Sequence, residues 1–348
     1  MKALAGNWKT TICGVLAVLL VSVALAAPAI AGLIDVRTVV LRGTQMFPVE
    51  IMQKQGFAKN HGIKIIRRDV VSVPALYTAL KSEQIDVGFG AWASNMLFRS
   101  QGVKLVTVFP LIGFVNDVVV RKDSSIQTMS DLKGKRLGVF GGPAGTTSMM
   151  FRTISKKFFG FDPLVDASIR YGSPVLHAKL LEKGELDAIM MLHPLTSKFL
   201  TSKPLRSIMD VGKFWKEKTG QDLLLVAITT NERFIAKHPQ AVRGFVAAYK
   251  EAVNYINQHP EVWNDFAKLV GINNEAGRTM LQKALTGRYL TTWNQQSLET
   301  LRNFTSEVQE LFCTKSIAGK KGKITASACR GFPPRFLPEA FSFNFAPK

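Results

Sequence analysis

Between residues 38 and 109 short apolar runs alternate with amphipathic stretches, and the same alternation returns between 136 and 191. Thr38 to Arg42 reads as a strand. Pro48, well suited to a first helical turn, opens a helix from Val49 to Lys59 that stops at Asn60-His61-Gly62. Ile63 to Ile66 is a second strand, Val73 to Lys81 a helix, Ile85 to Phe89 a third strand and Val103 to Phe109 a fourth. The second run repeats the order: strand Arg136 to Phe140, helix Ser148 to Phe159, strand Ala167 to Tyr171, helix Pro174 to Glu182, strand Asp187 to Met191. Even residues echo, Glu83-Gln84-Ile85-Asp86-Val87 answering Gly184-Glu185-Leu186-Asp187-Ala188. Strands alternating with helices predict mainly parallel sheets. Two such units predict two lobes facing a cleft. Asp117 to Arg121 reads as the strand that leaves the first unit, and Asp222 to Ile228 as the one that returns to it. From Glu232 to Phe312 the apolar spacing is helical, with Phe245, Tyr249 and Val253 on one face.

Ligands of such sheets sit at the carboxyl ends of strands. That rule selects four loops: Gly43 to Phe47, Gly90 to Asn95, Gly141 to Thr147 and Leu192 to Thr196. In the third, Gly142 lets the backbone approach a ligand, and Thr146 and Thr147 add hydroxyls at a helix start, where free N–H groups favour an anion. A plain strand-to-helix turn with Thr146 as cap is the alternative. The spacing is not that of a nucleotide P-loop. Thr44, Gln45 and Phe47 hold the equivalent place in the first unit, Gln45 as a hydrogen-bonding group and Phe47 either as ligand wall or as helix staple. Trp92 is a candidate floor for an organic ligand, with Ser94 and Asn95 as donors, or a core aromatic. His193 occupies the matching position in the second unit, as ligand contact or structural histidine. Asn116 and Asp117 stand at the first crossover, and a carboxylate there opposes the anion reading, so ligand charge stays open.

Residues 1–31 read as an export signal: Lys2 and Lys9, an apolar run from Ile12 to Ala27, then Ala29-Ile30-Ala31 as cleavage site after Ala31. An uncleaved anchor is the alternative. The expected location is periplasmic. The net charge of +20 becomes +18 without the two signal lysines. Such basicity suits solubility, anionic surfaces or an anionic ligand. The charges are scattered and no nucleic-acid motif appears, which excludes nucleic acid as the expected partner. Cys313 and Cys329 are expected to form a disulfide in an oxidising compartment, two free thiols being the alternative. No histidine spacing indicates a metal, no cofactor is expected, and no Gly-x-Ser-x-Gly elbow or nucleophile–base set is visible.

The opening strand-loop-helix, Gln84-Ile85-Asp86-Val87-Gly88, Asp131-Leu132-Lys133-Gly134-Lys135, Gly141-Gly142 with Thr146-Thr147, and Gly184-Glu185-Leu186-Asp187-Ala188 together resemble a known family. They resemble the solute-binding proteins of ABC importers, in the group that binds nitrate, sulfonates, taurine and thiamine pyrimidine precursors. The resemblance spans roughly Val36 to Val308. It implies a type II two-lobed periplasmic-binding-protein-like α/β fold with two hinge crossovers, near Val118 and Leu224. Lobe one would be 32–116 with 222–312, lobe two 117–221, and 313–348 a basic extended tail. It also implies a monomer that closes around a small solute and docks on an inner-membrane ABC permease. A sensor or accessory module for a membrane receptor, or an exported enzyme on this scaffold, are the alternatives.

Overall fold

A computed structural model describes residues 32–70, 72–143, 145–312 and 336–345. The elements up to the first crossover are β1 (Ile34–Leu41), α1 (Met46–Lys54), α2 (Phe57–Asn60), β2 (Ile63–Val70), α3 (Val73–Lys81), β3 (Val87–Ala91), α4 (Trp92–Ser100) and β4 (Leu105–Gly113). Then come β5 (Asn116–Arg121), β6 (Arg136–Phe140), α5 (Thr146–Phe159), α6 (Pro163–Asp166), β7 (Ser168–Gly172), α7 (Pro174–Glu182), β8 (Ala188–Leu192), α8 (Leu195–Leu200), β9 (Leu205–Asp210) and α9 (Val211–Thr219). The return strand β10 (Leu224–Asn231) is followed by α10 (Glu232–Lys237), α11 (Pro239–Gln258), α12 (Val262–Leu269), α13 (Glu275–Leu285) and α14 (Gln295–Phe312).

Two five-stranded sheets result, ordered β2-β1-β3-β10-β4 and β7-β6-β8-β5-β9. In each, four strands run the same way and one is reversed: β10 pairs antiparallel with β3 and β4, and β5 with β8 and β9. The reversed strands are the two that follow the crossovers, as expected for chain passing from one sheet into the other. The sheets are therefore mixed, with a parallel majority. β9 was not expected. It is a half-exposed edge strand, Leu205-Arg206-Ser207-Ile208-Met209-Asp210, with too few apolar residues to give a period.

The echoed Asp86 and Asp187 turn out to be feet for the first strands. Asp86 Oδ2 accepts from Arg37 N at 2.8 Å and Nε at 2.9 Å, while Oδ1 accepts from Nη2 at 2.6 Å. Asp187 repeats the arrangement on Arg136 at 2.8, 3.0 and 2.6 Å. Each two-pronged clasp ties the start of one strand to the turn before its neighbour. The hydrogen bonds from Arg136, with its charge, hold the Asp187 carboxyl below its usual range.

Residues 336–345, expected within the extended tail, pack back on the first sheet. Phe341 bridges Thr107 at the β4 edge, Trp293 Nε1 donates to Ser342 O at 3.0 Å, and Phe341 and Phe345 are buried. Cys313 and Cys329 lie outside the described residues.

Candidate functional site

A cavity of about 100 Å³ lies where the two sheets face each other. Its walls are the carboxyl ends of β1 (Leu41, Arg42), β3 (Phe89, Ala91), β6 (Phe140, Gly141) and β8 (Leu192), with Leu225 and Val226 from the start of the reversed β10. Strand ends of both sheets converge there, which is where open α/β sheets place ligands. A larger groove of about 480 Å³ runs along α14 past Pro110, Asp222, Trp293 and Thr300, but no residue of the second sheet lines it. The smaller cavity is the candidate because both halves of the molecule build it.

Around this apolar box the polar side chains are an arginine, an amide and hydroxyls, each able to donate a hydrogen bond. Gln45 Oε1 accepts from Leu41 N at 3.0 Å, which fixes the amide and leaves its NH₂ at the cavity without a protein partner among the described residues. The Tyr77 hydroxyl accepts from Ala91 N at 2.9 Å and reaches Ala91 O at 3.3 Å, so it pins the β3–α4 junction. Burial pushes the Tyr77 phenol up to about 12, against the opposing pull of hydrogen bonds from Ser94 and Ala91, and it stays neutral. Among the described residues Arg42 is the one cation of the lining, and no carboxylate lines it. Thr146 Oγ1 is buried with no hydrogen-bond partner among the described residues.

Helix ends sharpen the pattern. α3, α7, α9, α10 and α13 carry side-chain caps from Ser72, Ser173, Asp210, Asn231 and Asn274. α1, α4 and α5, which begin at the cavity, have no side-chain cap, a lack they share with α2, α8, α11 and α12. Three helix N-termini thus converge on one small space, although the first amide of α1, Met46 N, already donates to Gly43 O at 3.1 Å; the Thr146 hydroxyl, without a partner among the described residues, stands among them.

Of the residues expected at a ligand, Thr44, Gln45, Ser94, Thr146 and Thr147 line the cavity. Gly142 does not, but its neighbours Gly141 and Gly145 do, and Gly142 takes a φ of 83° that glycine permits. Phe47, Trp92 and Asn95 are placed in the core instead. Phe47 stacks on Phe266 at 4.3 Å, and Trp92 meets Phe304 edge-on at 6.1 Å. Asn95 Nδ2 donates to Thr107 Oγ1 and Thr229 Oγ1, binding α4 to β4 and β10, and a β-carbon on Gly90 would sit 2.3 Å from its Oδ1. Asn116 is fully buried opposite Leu192, one strand behind the wall. His193 is also buried: Nδ1 lies 2.6 Å from Ser197 Oγ and Nε2 3.3 Å from Asp117 Oδ1. That chain commits Asp117 to the protein. The loop it steadies brings Pro194 against Gly43, where a β-carbon would meet the proline ring at 3.8 Å. Leu192 opens the fourth loop that the strand-end rule selected; Arg42, Tyr77, Leu225 and Val226 were not expected at the cavity. An arginine ending an apolar strand was a usable signal; a tyrosine within α3 gave none.

Among the described residues no group of three His, Cys, Asp or Glu is placed to hold a metal ion.

The fold is shared with the alkanesulfonate-binding protein SsuA from Xanthomonas axonopodis pv. citri bound to MOPS: 16% identity, TM-score 0.66, covering 80% of this chain and 94% of that one. A Brucella abortus protein whose name presents it as a binding protein is 25% identical over 244 residues, 70% of this chain and 72% of its own. A 4-amino-5-hydroxymethyl-2-methylpyrimidine phosphate synthase of Saccharomyces cerevisiae is 23% identical over 229 residues, 63% of this chain and 66% of its own. The model of the NMT1/THI5-like family matches residues 43–262, and the chain belongs to that family.

Proposed function

We propose that the protein is the solute-binding component of an ABC importer, exported with removal of 1–31 and closing two lobes around a small organic solute with an anionic, acceptor-rich end. The lobes would be 32–116 with 222–312, and 117–221. One observation carries the ligand class: the inter-sheet cavity offers Arg42, the Gln45 amide, hydroxyls and three uncapped helix starts, with no lining carboxylate. Asp117, the group that argued for a cationic ligand, is spent on His193. Phe89, Phe140, Leu192, Leu225 and Val226 would take an apolar body. At about 100 Å³ the cavity is well below the ~300 Å³ at which sites for larger ligands begin, so a short solute fits, or the lobes part to admit a longer one.

The fold shared with a sulfonate binder supports this reading, and the yeast relative named as a synthase raises the enzyme alternative. Among the described residues the lining contains no histidine, cysteine or carboxylate. The Asp117–His193–Ser197 chain resembles a catalytic series only in order, since Ser197 is fully buried. Calorimetric titration with MOPS, taurine, methanesulfonate, nitrate and 4-amino-5-hydroxymethyl-2-methylpyrimidine is the test. Saturable binding of an anionic member that weakens at least tenfold in Arg42→Ala is expected. Turnover of any member, or binding only of uncharged ones, would refute the reading.

A further inference from the structure

Two crossovers at 113–116 and 219–224 join the sheets, yet α14 makes a further connection. Phe304 of α14 lies between two indoles, 6.1 Å from Trp92 of α4 and 5.3 Å from Trp215 of α9. Trp92 belongs to the first sheet's helical layer and Trp215 to the second's. One turn on, Glu307 pairs with Lys157 of α5 at 2.5 Å, and Phe312 lies under the Arg152 guanidinium of α5 at 4.3 Å. Arg152 is itself locked to Asp162 by a buried two-pronged ion pair. So α5, whose first residues Thr146 and Thr147 line the cavity, is held along its length by a helix that follows the return to the first sheet.

We propose that Glu307 and Phe304 are positioning residues for the cavity: they brace α5 and α9 against α4 and hold the two sheets in the arrangement that forms the cavity, from positions outside its lining. The proposal rests on the reading of the cavity as the solute site only for its consequence, since Phe304, Trp215, Glu307 and Lys157 all lie outside the cavity lining. Ridge contacts of this kind give discrete rather than continuous arrangements. Breaking them frees α5 to shift against α14 while Arg152 keeps it tied to Asp162. The Glu307–Lys157 pair is partly exposed, so salt weakens the brace.

Pulsed electron-paramagnetic-resonance distances test this on the ligand-free full chain. Keto-reactive spin labels on p-acetylphenylalanine at the exposed Lys64 and Lys179 report the separation of the outer flanks of the two sheets. Glu307→Ala and Phe304→Ala should each broaden the distribution and raise a long-distance population several-fold, and exchanging the pair as Lys157→Glu with Glu307→Lys should restore the original. Glu307→Ala alters a partly exposed side chain, so it stays informative even if Phe304→Ala unfolds. An unchanged distribution in folded Glu307→Ala overturns the proposal, as does an exchanged pair that fails to restore it. Because no solute is present, neither result depends on what the cavity binds.

Discussion

His177 is walled in by glycine. A β-carbon on Gly138 would come within 2.8 Å of its ring and one on Gly172 within 2.9 Å, so only bare backbone lets the imidazole lie against β6 and β7. Both ring nitrogens are buried without a partner among the described residues. Burial, with the charge of Arg170 behind it, lowers the His177 pKa. The unfolded chain therefore takes a proton at the ordinary value near 6.5, while the folded one resists until lower pH. Stability from this group is complete above the unfolded value and is lost as pH falls through and below it, levelling off beneath the folded value. Asp187, held down by Arg136, adds a second loss below about 3.8. Melting temperature measured from about pH 7 to about pH 5.5 should fall for the wild type relative to His177→Leu. Parallel curves would show that the histidine does not titrate on unfolding. The same residue scale shows what sequence could convey about the site. Thr44, Gln45, Ser94, Thr146 and Thr147 line the cavity because the strand-end rule fixes their place. Trp92 and Phe47 obey the same rule, but which way a first-turn side chain faces depends on Phe304 and Phe266, from helices far along the chain.

Among elements, the informative contrast is between capped and uncapped helices. Ser72, Ser173, Asn231 and Asn274 are readable in sequence as caps, whereas the lack of one at α1, α4 and α5 acquires meaning only when their starts are seen to meet. Leaving amides unpaired costs helix stability, which a bound acceptor would return. Thr147→Asp should therefore separate two properties. A carboxylate in the first turn of α5 interacts favourably with the helix dipole, which offsets the cost of charging a buried position that borders the cavity, so the melting temperature should hold. The same charge occupies the place of an anionic ligand group, so titration with whichever anion the wild type binds should show affinity lost by more than tenfold. If the variant binds as well as wild type, α5 does not present its start to the solute. Elements also mark the limits of sequence reading. β9 escaped notice as a polar edge, and the docking of 336–345 could not be seen because its partners, Thr107 and Trp293, lie outside any local pattern.

At the scale of the molecule, the two α/β units were legible because each repeats its own pattern locally, and their joining was not, because it depends on contacts distant in sequence. One continuous cluster of buried side chains runs from Val36 and Phe89 of the first sheet to Val118, Val139 and Met190 of the second. Arg288 reaches from the chain beside β4 to Asp210 at the end of β9, 3.0 Å away, and Gly212 is bare where a β-carbon would press on Phe114 O at 2.2 Å. Gly277 of α13 likewise lies against α8, where a β-carbon would be 2.9 Å from Thr201 Oγ1. Two units that share a core and three bridging contacts lose most of their mutual burial if either one unfolds, so the half-unfolded species is costly. Scanning calorimetry of the ligand-free protein should accordingly give one transition, with calorimetric and van't Hoff enthalpies that agree. Two resolved transitions would mean that each sheet carries its own stability. The bridging contacts would then be rim contacts of a freely opening cleft, and Glu307→Ala should leave both melting temperatures where they were.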